Sequence, residues 1–97
     1  MTGPIYRLYV IKAKESVYRL SQEERDELFA KVAEVLPQVG GKEVLHCRSA
    51  WAAGDTVGWG VEEFPDIEAI QRLEQCRHDL NWYRYVDSWT LLGTKAH

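Results

Sequence analysis

The chain is predicted to fold as an α+β domain, four antiparallel strands carrying two helices on one face of the sheet, on three observations. Two stretches repeat apolar residues at three and four positions. Four stretches are rich in β-branched and aromatic residues, and the order along the 97 residues is strand, helix, strand, strand, helix, strand. That length fits one domain, residues 1–97, whose modest core leaves room for help from a partner or ligand.

The first strand is "PIYRLYVIK", residues 4–12, where Tyr6, Leu8 and Val10 alternate with Ile5, Arg7, Tyr9 and Ile11, so both faces are largely apolar. "SQEE", residues 21–24, is a capping box: Ser21 can accept from the third amide of a helix while Glu24 reaches back to the cap's own N–H. The helix that follows buries Leu28, Phe29, Val32, Val35, Leu36 and Val39; Pro37 weakens its last turn and Gly40-Gly41 stops it.

"EVLHCRSAW", 43–51, and "VGWGVEEF", 57–64, read as two strands joined through "AAGDT". "FPDIEAIQRLEQCRHDL", 64–80, opens with Pro65 placed for a first helical turn and repeats Ile67, Ile70, Leu73, Cys76/Arg77 and Leu80. Asn81 suits a left-handed cap, and "VDSWTLLG", 86–93, is the fourth strand. This order is the split βαβ arrangement. Strands one and four offer bulky apolar groups in both directions, which a water-facing sheet avoids, so a second copy laid on the bare face is expected: a homodimer.

With 12 basic and 15 acidic residues and no Lys/Arg cluster, nucleic acid and anionic membranes are not expected partners. No apolar run approaches the ~20 residues of a spanning helix and the first residues lack a leader-type cleavage site, so a cytoplasmic location is expected. Cys47 and Cys76 stand far apart with no CxxC or Cys/His cluster, and read as free thiols. No metal spacing and no phosphate or dinucleotide loop appears; neither metal nor cofactor is expected. Glu62, Glu63, Asp66 and Glu68 surround a helix start, where acidic groups have a dipole role.

"GVEEFPDIEAI" and "LNWYRYVDSWTLLGT" resemble a small bacterial branch of the dimeric α/β-barrel superfamily, ferredoxin-like proteins whose two sheets close into a barrel. The resemblance implies a cavity between helices and sheet. Superfamily members include cofactor-free monooxygenases, haem-degrading monooxygenases, muconolactone isomerases and stress-response proteins, and a shared fold transfers none of these chemistries. A haem-degrading site in the superfamily combines an Asn on strand one with a Trp and a His; strand one here has no Asn.

The candidate site residues come from local pattern. Gly58 and Gly60 remove two side chains from one face of a central strand, which predicts a hollow. His46 and Arg48 form a polar pair on a face shared with Val44 and Ala50, open to two readings: His46 as proton acceptor with Arg48 as holder of an enolate, phenolate or carboxylate, or side chains of an edge strand that meet water or pair with neighbours such as Glu43. Tyr9, Trp59 and Tyr85 are candidate walls, with Trp59 directed to the face opposite the glycines; Trp82 and Tyr83 stand where helix two hands over to strand four. His78 falls about 140° from the centre of its helix's apolar stripe and is expected in solvent, and His97 belongs to the tail. Two functions are thereby posed: a small-molecule-binding protein acting as a cofactor-independent monooxygenase or isomerase on an enolisable or aromatic substrate, or a non-catalytic dimeric binding or stress-response module with a filled interior. Haem binding is a third.

Overall fold

A computed structural model describes residues 3–96. The elements run β1 (Ile5–Ala13), a 3₁₀ turn (Glu15–Arg19), α1 (Gln22–Gln38), β2 (Lys42–Arg48), α2 (Ala50–Ala53), β3 (Thr56–Phe64), α3 (Ile67–Asp79), α4 (Trp82–Tyr85) and β4 (Val86–Gly93). The four strands form one antiparallel sheet in the order β2-β3-β1-β4, the ferredoxin-like arrangement. His97 lies outside the described residues.

Local chemistry sets most boundaries. Ser21 Oγ accepts from Glu24 N at 3.1 Å while Glu24 Oε1 accepts from Ser21 N at 2.9 Å, so the capping box starts α1 as its sequence requires. Gly40, at φ 85°, turns the chain out of α1. Asn81 takes the left-handed conformation, φ 58° and ψ 28°, between α3 and α4. Two expectations are corrected. Strand two stops at Arg48, because residues 50–53 coil into α2 and Trp51 Nε1 donates to Arg48 O at 2.9 Å. Pro65 precedes α3 rather than opening it: Asp66 is the N-cap and accepts from Ala69 N at 2.8 Å.

Helices α1 and α3 cover one face of the sheet through two apolar clusters. Val35 and Val39 of α1 meet Phe64 of β3 and Ala69, Ile70 and Leu73 of α3; at the other end Ile11, Val32, Trp82 and Val86 pack together. The opposite face is bare. Cross-strand pairing lines up Cys47, Trp59, Val10 and Trp89 in one row and Leu45, Val61, Leu8 and Leu91 in the next. Trp89 is 59% exposed and Leu91 58%. An apolar surface two rows deep and four strands wide is larger than scattered surface hydrophobes account for.

β3 carries glycine where its neighbours come closest. A Cβ on Gly60 would strike the Leu45 carbonyl oxygen and stand 2.7 Å from the Tyr9 hydroxyl; one on Gly58 would stand 2.7 Å from the Cys47 carbonyl oxygen. Backbone oxygens cannot step aside cheaply. Gly60→Ala is therefore expected to lower stability by roughly 1–3 kcal/mol in urea unfolding.

Candidate functional site

Between α1 and the β2-β3-β1 part of the sheet lies a cavity of about 720 Å³, open to solvent. α1 turns small and apolar groups toward it, Ala30, Ala33, Val32, Phe29 and Leu36, and Trp82 closes one end in edge-to-face contact with Phe29, ring centroids 5.5 Å apart. The floor is the sheet.

Strand register builds that floor. Paired residues share a face in an antiparallel sheet, so His46, Gly60 and Tyr9 form one row, and Arg48, Gly58 and Ile11 the next. With no side chain on Gly60, the Tyr9 hydroxyl lies over the glycine, and the Tyr9 and His46 rings stand 6.4 Å apart, centroid to centroid. His46 Nε2 sits 3.5 Å from where a Gly58 Cβ would be. The hollow expected from the two glycines is therefore occupied in part by side chains reaching across it from both neighbouring strands.

A register shift places the partner of His46. Glu43 pairs with Glu62 and Leu45 with Val61, leaving Val44 as an extra residue in β2. In a regular strand Glu43 and His46, three apart, point to opposite faces. The shift turns Glu43 onto the cavity face, where its Oε1 is 3.1 Å from His46 Nδ1. This corrects the expected company of His46: Glu43 shares its face through pairing, and Val44 is the extra residue.

Beside this row lies a buried ionic group, and it corrects the helix-dipole role expected of Glu62, which β3 instead turns inward to meet two arginines. Arg7 Nη1 donates to Glu62 Oε1 at 2.8 Å, Arg7 Nη2 to Glu74 Oε1 at 3.1 Å, and Tyr83 Oη to Glu74 Oε2 at 2.5 Å. Arg77 Nη2 reaches Glu62 Oε2 at 3.4 Å. Arg7 is 2% exposed and Glu62 5%. Glu62 and Arg77 both line the cavity. The available signal was the charge itself: Arg7 interrupts an apolar strand face and Arg77 interrupts the apolar stripe of its helix, and each buried cation calls for a buried carboxylate.

Of the residues singled out from sequence, Tyr9, His46 and Arg48 are brought together at the cavity. Trp59 is not; it pairs with Val10 and Cys47 on the bare face. Tyr85 is also outside, in a shallow depression with Leu20, Leu28 and Leu80, because α4 turns it away while Trp82 goes inward. His78 is exposed and lies beside Tyr83, the rings tilted at 55° with centroids 4.9 Å apart. Cys47 and Cys76 are free thiols. Among the described residues no group of three or more His, Cys, Asp or Glu could hold a metal ion, and no helix is long and apolar enough to cross a membrane.

Burial, with Glu62 and Glu43 adding to it, pushes the Tyr9 hydroxyl up to about 12. Burial and the Glu74 hydrogen bond push Tyr83 to about 12 as well. At neutral pH Tyr9 keeps its proton.

The chain has the fold of the dimeric α/β barrels. It superposes on two substituted forms of the chlorite dismutase from Candidatus Nitrospira defluvii with TM-scores of 0.77 and 0.74, at 12% and 15% identity. These overlays cover 99% and 100% of this chain but 41% and 43% of the dismutase chains, so it spans about two fifths of their length. A protein of unknown function from Rhodopseudomonas palustris superposes with a TM-score of 0.62 at 17% identity, over 100% of this chain and 85% of that one. No family model and no curated protein matches the sequence.

Two outcomes are expected of the site's polar groups. Glu62→Leu leaves Arg7 and Arg77 buried without their shared carboxylate and should cost about 3–5 kcal/mol in denaturant unfolding. Because folded Tyr9 keeps its proton past the value of 10.0 at which an ordinary tyrosine loses it, its contribution is intact below pH 10 and lost as the pH climbs toward about 12. Phenolate absorbance should accordingly show a late-titrating component that shrinks in Tyr9→Phe.

Proposed function

We propose that this chain binds an enolisable or aromatic small molecule in the cavity and removes a proton from it without a cofactor, as an isomerase or a cofactor-independent monooxygenase does. The observation that carries this reading is the group formed by Tyr9 and His46 over the glycine floor, with Glu43 beside His46 on the same face. Glu43 holds one imidazole nitrogen in place, leaving the other to accept a proton; the Tyr9 hydroxyl and Arg48 meet the negative charge that then develops on oxygen. Apolar walls from α1 and Trp82 offer the ring of the substrate a surface to pack against. A non-catalytic module would be expected to fill its interior, and an open space of about 720 Å³ favours a ligand instead.

The bare sheet face supports a homodimer, the second copy covering Trp59, Trp89, Leu45 and Leu91. Sedimentation velocity should then find a dimer that Trp89→Lys converts to monomer.

Haem binding has separate support, the overlay on chlorite dismutase-like chains, a haem-binding family. His46 is the histidine lining the cavity among the described residues, and with Glu43 on Nδ1 its other nitrogen is the one that would hold iron. Bound haem would supply redox chemistry. A Soret shift on titration that vanishes in His46→Ala would support this reading, and no shift with the unaltered protein would remove it.

Proton abstraction is tested by deuterium exchange into a panel of enolisable ketones and phenols, followed by NMR. Catalysed exchange should fall by roughly 10²–10⁴ in His46→Ala and less in Glu43→Gln. Undiminished exchange in His46→Ala would eliminate the mechanism.

A further inference from the structure

We propose that the cavity is shaped for an organic acid and that Arg77 receives its carboxylate, an inference that rests on the cavity being the ligand site. Arg77 stands in the cavity wall and is 7% exposed. A guanidinium carries five N–H donors. Among the described residues it makes one hydrogen bond, at 3.4 Å to Glu62, and its Nε is buried without a partner. The nearby carboxylates are already committed. Glu62 gives its other oxygen to Arg7 at 2.8 Å, and Glu74 is shared between Arg7 and Tyr83. An arginine so placed lacks the planar acceptor its fork matches, and a ligand carboxylate would complete it.

The register relates this acid site to the proton acceptor. Arg77 contacts Glu62, two residues along β3 from Gly60, the residue paired with His46. Two residues of strand span about 7 Å. That distance suits a compound with a carboxylate at one end and a ring or enolisable carbon beside His46, its body against Phe29, Val32 and Trp82.

The test compares benzoate with benzamide, which match in shape and differ in charge, followed through the amide resonances of Gly58 and Gly60 and the Nε–H resonance of Arg77. Benzoate should shift all three and bind at least about tenfold more tightly than benzamide, the margin of a charge-assisted hydrogen bond. Arg77→Gln should bring the two to parity, and Arg77→Lys should keep part of the preference. Equal binding of acid and amide to the unaltered protein overturns the acid assignment while leaving the cavity as a ligand site. Neither compound moving the glycine resonances overturns both. A preference that survives in Arg77→Gln overturns the role of Arg77. Should that variant fail to fold, the comparison on the unaltered protein, with the Arg77 Nε–H shift, decides the matter.

Discussion

The structure is organised around a charged pair in the middle of a sheet. Arg7 and Glu62 face each other across the two central strands, 2.8 Å apart, under the helices. Such a pair is stabilising only while its remaining hydrogen-bonding capacity is met, and removal of one partner strands the other. Glu74, Tyr83 and Arg77 gather around it for that reason. The polar group stands among two apolar clusters, one at each end of the helical layer. A chain of this size thus trades a continuous core for a polar centre, and the cavity opens beside that centre.

What makes the polar centre usable is absence. Gly58 and Gly60 let Tyr9 and His46 reach over β3 from opposite sides, and Ala30 and Ala33 keep α1 from filling the space above. His46, Tyr9, Arg48 and Arg77 consequently border one hollow although they come from three elements, β1, β2 and α3, around the floor that β3 supplies. Strands hold such groups more rigidly than loops do.

The two faces of the sheet divide the labour. The helix-covered face carries charge and space; the bare face carries two rows of apolar side chains in cross-strand register. Because strand side chains alternate, every residue that builds one face fixes its neighbour on the other: Gly60 stands between Trp59 and Val61, and Tyr9 between Leu8 and Val10.

The sequence by itself determined the four strands, the two long helices and their order, though not the 3₁₀ turn or the one-turn helices α2 and α4. The capping box at Ser21, the left-handed Asn81 and the fourth strand at 86–93 are short-range chemistry, and each appears where the residues place it. Local pattern also singled out Tyr9, His46, Arg48 and the two glycines, because a polar residue or a gap on an apolar face stands out without knowledge of its neighbours. Only the tertiary structure decided which of them meet. The extra residue at Val44 is invisible in the sequence, since two-residue alternation assumes an unbroken strand, yet it swings Glu43 onto the face of His46. Arg7, Glu62, Glu74 and Arg77 are far apart in the chain, and their pairing exists only once β1, β3 and α3 are packed together. Trp59 and Tyr85 carry the right chemistry for a ligand wall but fall outside the cavity, one by alternation and one by the turn of α4, because aromatic composition records what a side chain is and not which way it faces.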